Sequence, residues 1–273
     1  MMRTQLGKVY LIGAGPGASD LMTIRGARLL AQAQIVFYDA LVDSSMLELC
    51  PQAKLVAVGK RCGKLSTAQK FIDKQLVDAA QKYQHIVRLK GGDPMIFGRA
   101  DEEITALQEH GIELEVVPGI TSALAAAASV QSSLTLRGVA RSVAFITVVK
   151  ANETSDIEQT PQADTLIYYM GRKDSEKIAT QLIDQGRSKL TPVIVIEAIS
   201  TSKERKLFTH LNDLQSGILD QWSHTDSPTI IMIGEAFYRV VQAQQDKLDE
   251  LIHREINNRL QDQVTLPNSR RRA

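Results

Sequence analysis

The sequence predicts an α/β protein made of two α/β domains. Short apolar runs alternate with segments of helical periodicity along the first half of the 273-residue chain. Such alternation is typical of a parallel sheet whose strands are connected by helices. A chain of this length is long for one domain and comfortable for two. A small-residue, Ala-rich stretch from Thr121 precedes a renewed strand pattern, so we expect the domain boundary near 129–138.

The strands are predicted from short, β-branched runs that are apolar almost throughout. Runs of this kind are expected where a strand is buried on both faces of its sheet. In the first half they are Val9–Ile12, Ile35–Tyr38, Leu55–Val58, Ile86–Leu89 and Leu114–Val117. In the second half they are Val143–Val149, Thr165–Tyr169, Pro192–Glu197 and Thr229–Ile233.

Two helices of the first half have clear apolar periodicity. The segment TAQKFIDKQLVDAAQKY is predicted to bury one side that carries Phe71, Leu76, Val77 and Ala80. The segment GRADEEITALQEHG is predicted to bury Ile104 and Leu107 and to end at Gly111, because glycine often follows the last turn of a helix. The polar segment 151–163 is expected to form a loop and a short helix.

We therefore predict three parts of the chain. Residues 1–130 form an N-terminal α/β domain, and residues 138–240 form a C-terminal α/β domain. Residues 241–273 form a polar C-terminal helix that ends in the basic sequence NSRRRA, which we interpret as a frayed tail.

Composition excludes several classes of function. The formal net charge is +1, which gives no global field for nucleic acid or an anionic membrane. The two cysteines are too few for a disulfide framework and lack metal-site spacing. The five histidines are scattered, so we predict no metal. Without a signal-peptide pattern or a membrane-spanning run, we expect a cytoplasmic protein.

The glycine-rich turn GAGPGASD after the first strand allows two interpretations. Gly13, Gly15 and Ala18 satisfy the GxGxx(G/A) pattern, and Asp39 stands where a ribose-binding acid would follow in a dinucleotide-binding unit. Alternatively, the turn needs glycine only for its backbone dihedrals. The pair Ser19-Asp20 is predicted to cap the helix, which would begin too late to cradle a pyrophosphate.

A second motif, VRLKGGDPMIFGR, is less ordinary. A buried strand carries Arg88 and Lys90 and ends in two glycines, where backbone can approach a ligand closely. Asp93 can accept hydrogen bonds from a ligand, although GGDP is also a plausible plain turn. Polar loops also follow other strands, at Asp39, in VGKRCG and in VVPGITS. Because ligands of open α/β sheets bind beyond the carboxyl ends of the strands, these loops indicate a site.

Five segments in this order, GAGPG, YDALV, VGKR, VRLKGGDPMIFGR and VVPGITS, resemble the uroporphyrinogen-III C-methyltransferases. These are tetrapyrrole methylases that use S-adenosylmethionine. The resemblance extends from about Lys8 to Phe237. It implies two α/β domains of the tetrapyrrole methylase type, an active site in the cleft between them and a homodimer. It also implies S-adenosylmethionine as methyl donor and S-adenosylhomocysteine as product.

The resemblance also implies site residues. Asp39 and Lys60 match the positions assigned to proton transfer. The positions that contact the methyl donor match Pro16, Gly91, Gly92, Asp93, Ile96, Thr121, Ser122 and Met170, with Ile199 where the family has a glycine. This sequence also departs from the family pattern at Leu136 and at Val148-Val149.

A tetrapyrrole with eight carboxylates requires basic groups, and Arg binds carboxylates in a bidentate manner. The substrate-binding candidates are Arg61, Arg88, Arg99 and Arg137, and Arg141 and Arg172 are further possibilities. For each of them a structural or surface ion pair is the alternative.

The expected reaction is methylation of uroporphyrinogen III at carbons 2 and 7 to give precorrin-2, for siroheme or cobalamin biosynthesis, by a stand-alone methyltransferase. An NAD- or flavin-dependent oxidoreductase and a non-catalytic tetrapyrrole-binding protein are the alternatives.

Overall fold

A computed structural model describes residues 6–59, 65–148, 160–223 and 227–264. The chain divides into two compact units, neither of which is one continuous segment. The first unit is Met1–Ser129 with Ile196–Arg205 and Ser227–Ile230, and the second is Val130–Val195 with Lys206–Asp226 and Ile231–Ala273. Within the described ranges no helix has the length and apolar character needed to cross a membrane. The predicted α/β class is confirmed.

The first sheet has five strands in the order β3-β2-β4-β1-β5. They are β1 (Lys8–Gly13), β2 (Ile35–Tyr38), β3 (Lys54–Ala57), β4 (His85–Lys90) and β5 (Leu114–Val117). Every pairing is parallel, so the carboxyl ends of all five strands lie at one edge. The order places β4 in the centre, between β2 and β1.

The helices that follow these strands are α1 (Ile24–Leu30), α2 (Ser44–Leu47), α3 (Leu65–Ala80), α4 (Ala100–Glu109) and α5 (Ser122–Ser129). The first of them begins after Thr23, whose hydroxyl oxygen accepts the N–H of Gly26 at 3.1 Å. The predicted cap at Ser19-Asp20 is wrong, because Ser19–Leu21 forms a separate 3-10 turn without a side-chain cap.

Both faces of the first sheet are packed. Val9 and Leu11 belong to a cluster with Leu76 of α3 and Leu107 of α4. Ile12 belongs to a second cluster, which includes Leu30, Val36, Met46 and Val87. The residues of each strand therefore alternate between two cores, as a period of two requires.

Two predictions about burial are wrong. Phe71 is 57% exposed, because its five-residue separation from Leu76 corresponds to about 140° around the helix. Strand β3 is largely exposed, because it lies at the edge of the sheet, where one neighbouring strand is missing.

The second sheet has the order β6-β7-β10-β8-β9. Its strands are β6 (Val143–Thr147), β7 (Thr165–Tyr169), β8 (Pro192–Glu197), β9 (Arg205–His210) and β10 (Thr229–Ile233). Sequence analysis missed β9, an edge strand whose RKLFTH sequence is too polar to resemble a buried run. The predicted strand Val143–Val149 ends at Thr147, and Val149 lies outside the described residues.

The second unit also contains α6 (Ser175–Asp184), α7 (Leu211–Gln215), α8 (Ile218–Trp222) and α9 (Tyr238–Val264). Its core joins the sheet to the first three of these helices through Leu166, Tyr168, Ile178, Leu182, Leu214 and Leu219. Most of the predicted loop at 151–163 lies outside the described residues.

Candidate active site

Three glycine-containing loops meet at the carboxyl edge of the first sheet. The loop after β1 pairs with the loop after β4: Gly15 N–H donates to Gly92 O at 3.1 Å, and Gly92 N–H donates to Gly15 O at 2.7 Å. The loop after β5 packs against both. A Cβ on Gly119 would lie 2.2 Å from Gly92 O and 2.8 Å from Gly13 Cα. Only glycine permits this approach.

The glycine turn after β1 is hydrogen-bonded to the loop after β4, so this turn contacts protein. Gly92 has a φ of +68°, and a Cβ placed there would meet no atom within 4 Å. The space beside the Gly92 backbone is thus open to a ligand. At Gly13, in contrast, the space that a Cβ would take is filled by backbone atoms of Gly92 and Gly119.

Asp93 connects two of these loops. Its Oδ1 accepts the N–H of Met95 at 2.8 Å, and its Oδ2 accepts the N–H of Gly119 at 2.9 Å. A carboxylate that accepts backbone N–H groups contributes a charge-assisted hydrogen bond at each. From the sequence, Asp93 was interpreted as a ligand acceptor or as part of a plain turn, and its contact with the N–H of Gly119 was not predicted.

The chain leaves the β4 loop through a strained backbone. Ile96 N–H donates to Asp93 O at 3.2 Å. Phe97 and Arg99 then adopt left-handed conformations, with φ of 51° and 54°. Such conformations cost free energy for residues other than glycine, and they concentrate at functional sites.

The loop after β8 belongs to the first unit and lies against the β1 turn. Ile199 is buried and lies between two left-handed residues, Ala198 (φ 48°) and Ser200 (φ 63°). A Cβ on Gly17 would lie 2.9 Å from Ile199 O, and Ala18 N–H donates to Ser200 Oγ at 3.4 Å. Ile199 is therefore held beside the turn that contains Pro16.

Thr121 and Ser122 stand at the start of α5. The Thr121 side chain is buried, and its carbonyl accepts the N–H of Leu124 at 3.1 Å. Met170 follows β7 in the second unit, where it is left-handed (φ 57°) and half exposed.

Asp39 lies at the carboxyl end of β2, directly beside the β4 loop. Its N–H donates to Leu89 O at 3.3 Å. Arg88 Nη2 donates to Asp39 Oδ1 at 2.5 Å, and the Asp39 side chain is 30% exposed. Arg88 therefore holds the carboxylate from its buried side, and part of the carboxylate faces solvent.

Arg88 belongs to a network of four buried or half-buried charges. Arg88 Nε donates to Glu103 Oε1 at 2.9 Å, and Lys90 Nζ donates to Glu103 Oε2 at 2.9 Å. Alternation along β4 places both basic residues on the face that α4 covers. The network of Asp39, Arg88, Lys90 and Glu103 holds two cations and two anions, so its formal charges cancel.

The surroundings shift the pKa values of both cations. Burial and the nearby Arg88 guanidinium lower the pKa of Lys90, against the opposing effect of Glu103. Burial alone would lower the pKa of Arg88, but the carboxylates of Glu103 and Asp39 more than offset it and raise that pKa. Arg88 therefore stays charged inside the protein.

Arg88 does not fit the predicted role of substrate ligand. Its side chain is 3% exposed, and its guanidinium already donates to two carboxylates and to Leu89 O. Sequence analysis missed Glu103, although a signal was present: Glu103 lies four residues before the buried Leu107, on the face that the helix buries.

The other predicted basic residues have different surroundings. Arg99 makes a two-point ion pair with Glu102, at 2.7 and 2.8 Å. Arg137 is exposed in the second unit, whereas Arg172 Nη2 donates to Ser223 O at 3.1 Å. Arg141 is exposed, and its backbone N–H donates to Asp164. Lys60 and Arg61 lie outside the described residues.

No cluster of three His, Cys, Asp or Glu residues suited to a metal ion occurs in the part of the chain that the structure describes. A cavity of about 470 Å³ does exist in the second unit, beside Asp164, Arg187 and Glu235. None of the predicted site residues lines it.

The fold and these loops correspond to a known family. The model of the Tetrapyrrole (Corrin/Porphyrin) Methylases matches residues 8–215. The chain belongs to this family, and the resemblance noted from the sequence is confirmed.

Individual relatives are consistent with that assignment. Siroheme synthase of Pseudomonas fluorescens (strain SBW25) is 44% identical over 233 residues, which are 84% of this chain and 50% of that protein. Siroheme synthase of Pseudomonas aeruginosa (strain LESB58) is 42% identical over the same shares. The chain thus spans about half the length of these relatives.

Solved structures show the same fold. Uroporphyrin-III C-methyl transferase from Thermus thermophilus, complexed with S-adenyl homocysteine, has a TM-score of 0.72 and 37% identity, covering 84% of this chain and 93% of that chain. The cobalamin biosynthetic enzyme cobalt precorrin-4 methyltransferase has a TM-score of 0.72 and 27% identity, covering 84% of this chain and 95% of that chain.

Proposed function

We propose that this protein transfers methyl groups from S-adenosylmethionine to carbons 2 and 7 of uroporphyrinogen III, giving precorrin-2. Membership of the tetrapyrrole methylases supports a methyl transfer. The Thermus relative that is complexed with S-adenyl homocysteine supports the donor. The relatives named siroheme synthase support siroheme as a destination of the product, and the cobalt precorrin-4 methyltransferase keeps cobalamin open.

One structural observation carries the proposal. The carboxylate of Asp39 is partly exposed and is held by a buried arginine at the edge where the glycine loops meet. Leu41, two residues further on, is the side chain that a Cβ on Gly91 would meet, at 3.3 Å. Leu41 therefore covers Gly91, and the acid lies beside the loop in which the backbone of Gly92 is open to a ligand.

The residues of these loops fit the proposed donor. S-Adenosylmethionine supplies an electrophilic methyl group on a positively charged sulfur. Its ribose and amino acid parts need hydrogen-bond acceptors and donors of the kind that Asp93, Thr121 and Ser122 offer. The open side of Gly92 leaves room for backbone contact, and Pro16, Gly91, Ile96, Ile199 and Met170 complete the proposed set of donor-binding residues.

The pyrrole carbon is itself electron-rich, so the protein need not generate a strong nucleophile. Its task is to align the attacking carbon, the methyl carbon and the sulfur at near-attack distance. A proton must later leave the methylated ring system. Asp39 accepts that proton in the proposed mechanism, and Lys60 is the second proposed proton-transfer residue.

The proposal is tested with purified protein, S-adenosylmethionine carrying a ¹³C-methyl group, and uroporphyrinogen III. Label at carbons 2 and 7 of the product is the expected result. Asp39→Asn should bind donor normally but lose about a hundredfold or more in turnover if proton removal limits the rate, because an amide is not a base.

Asp43→Asn is the matched control, because it makes the same change four residues away and asparagine is also a good helix cap. If the protein methylates a different tetrapyrrole and not uroporphyrinogen III, the proposed substrate is wrong. Tight binding of NAD or flavin without methyl transfer would favour the oxidoreductase, and tetrapyrrole binding without turnover would favour a non-catalytic binding protein. A homodimer and a cytoplasmic location stay predictions.

A further inference from the structure

We infer that Glu103, a residue of α4 with no exposed surface, is a positioning residue that sets the direction of the Asp39 carboxylate through Arg88. This inference rests on the proposed function of Asp39. It assigns a role in methyl transfer to a side chain that lies behind the sheet edge and contacts neither of the proposed ligands.

The guanidinium of Arg88 is fixed by contacts at all three of its nitrogens. Its Nε donates to Glu103 at 2.9 Å, its Nη1 to Leu89 O at 3.2 Å and its Nη2 to Asp39 at 2.5 Å. A guanidinium is planar, so contacts at three nitrogens define both its position and the orientation of its plane. Among the described residues, two carboxylates contact Arg88, and only Glu103 belongs to a helix.

Glu103 is itself held in place by its neighbours. Its Oε1 accepts from Arg88 and its Oε2 accepts from Lys90, both at 2.9 Å, and its side chain is 0% exposed. Gln69 Nε2 of α3 also lies 3.4 Å from Oε1. Oε1 is therefore held from β4 and α3, and Oε2 is held from β4. The guanidinium of Arg88 links this fixed carboxylate to Asp39.

The two ends of the network differ in their exposure to solvent. The Glu103 end is fully enclosed, whereas Asp39 is 30% exposed at the sheet edge. A buried ion network that served stability alone would not require its last carboxylate to lie at the candidate site. Arg88 and Lys90 both pair with Glu103 at the enclosed end, and the partly exposed Asp39 is the carboxylate that brings the formal charge of the network to zero.

The test is a double-mutant cycle in single-turnover assays at high enzyme concentration. Glu103→Gln in the otherwise unchanged protein should lower the rate at which deprotonated product forms by up to about a hundredfold, the loss expected when a reacting group moves by about 1 Å. The KM for the donor should not change. In the Asp39→Asn background, Glu103→Gln should cause no further loss, because the group that it positions is gone.

Glu109→Gln is the control, since it makes the same change on an exposed residue of the same helix. If Glu103→Gln alone fails to fold, the double variant Glu103→Gln/Lys90→Met takes its place in the cycle. The double variant removes one negative and one positive charge, so the net charge of the network does not change. Equal losses in both Asp39 backgrounds would indicate a merely structural role and overturn the inference. An unchanged rate for Glu103→Gln, or for Asp39→Asn, would overturn it as well.

A crystal structure of the same variant gives a result that does not depend on activity. Separation of Arg88 Nη2 from Asp39 Oδ1, or a rotated guanidinium, supports the positioning role, and an unchanged contact overturns it. Failure of the proposed function would be visible separately, as wild-type protein that transfers no methyl group to uroporphyrinogen III.

Discussion

Arg88 in the first unit and Arg137 in the second are the same residue type in opposite environments. Arg88 is buried and donates to Asp39 and Glu103. Arg137 is exposed on a tight turn in which Leu136 and Ala140 exchange hydrogen bonds of 2.8 Å. Burial therefore decides what each arginine can bind. Arg88 pairs with carboxylates of the protein, whereas Arg137 is accessible to an anion from solution.

The largest effect is expected on the stability of the protein, from a change at the buried Arg88. Arg88→Met should lower the free energy of unfolding by about 3–5 kcal/mol, because it removes one of the two cations that pair with the buried carboxylate of Glu103. Chemical denaturation measures this change, with Arg137→Met as the control. A loss no larger than that of the control would mean that the network contributes nothing to stability.

The second effect is on binding by the exposed arginine. Arg137→Ala should raise the KM for uroporphyrinogen III about tenfold or more, since a hydrogen bond to a charged group contributes about 1.5–3 kcal/mol. Donor affinity and unfolding free energy should stay unchanged. Steady-state kinetics and calorimetry separate these quantities, and a parallel loss of donor affinity would indicate a structural role instead.

The smallest effect is expected at Arg99, which lies between the two extremes. Its side chain is 38% exposed and is paired with Glu102. Arg99→Ala should change the free energy of unfolding by less than about 1 kcal/mol, as is usual for surface ion pairs. Its effect on the KM for tetrapyrrole should be smaller than that of Arg137→Ala, because Glu102 competes for the guanidinium. A larger KM effect at Arg99 would reverse that ranking.

Much of the fold was predictable because its signals are local. Ile35–Tyr38, Leu114–Val117, Thr165–Tyr169 and Thr229–Ile233 were predicted with the observed bounds. Each is a short apolar run flanked by polar or turn residues, which short-range periodicity describes well. Two edge strands were harder: β9 was missed and the burial of β3 was overestimated, because the position of a strand in its sheet is a long-range property.

The candidate site was predictable only in part. Recurrent glycine motifs after strands, together with the parallel order, indicated which loops would meet at the sheet edge. Their partners were not predictable, because Gly15 lies 77 positions before Gly92 in the sequence and only folding joins them. The same applies to Asp93, whose contact with the N–H of Gly119 gives it a role inside the protein.

The sequence was sufficient for the α/β class, for the loops at the carboxyl edge and for the family, because each depends on residue type and order along the chain. Tertiary structure decided what the charged residues do. Arg88, Lys90 and Glu103 could have been solvent-exposed or ligand-binding by sequence, and packing of α4 on β4 made them a buried, charge-balanced network. The physical reason is that the energy of a charge depends on its distance from water and from other charges, and distant segments of the chain set both.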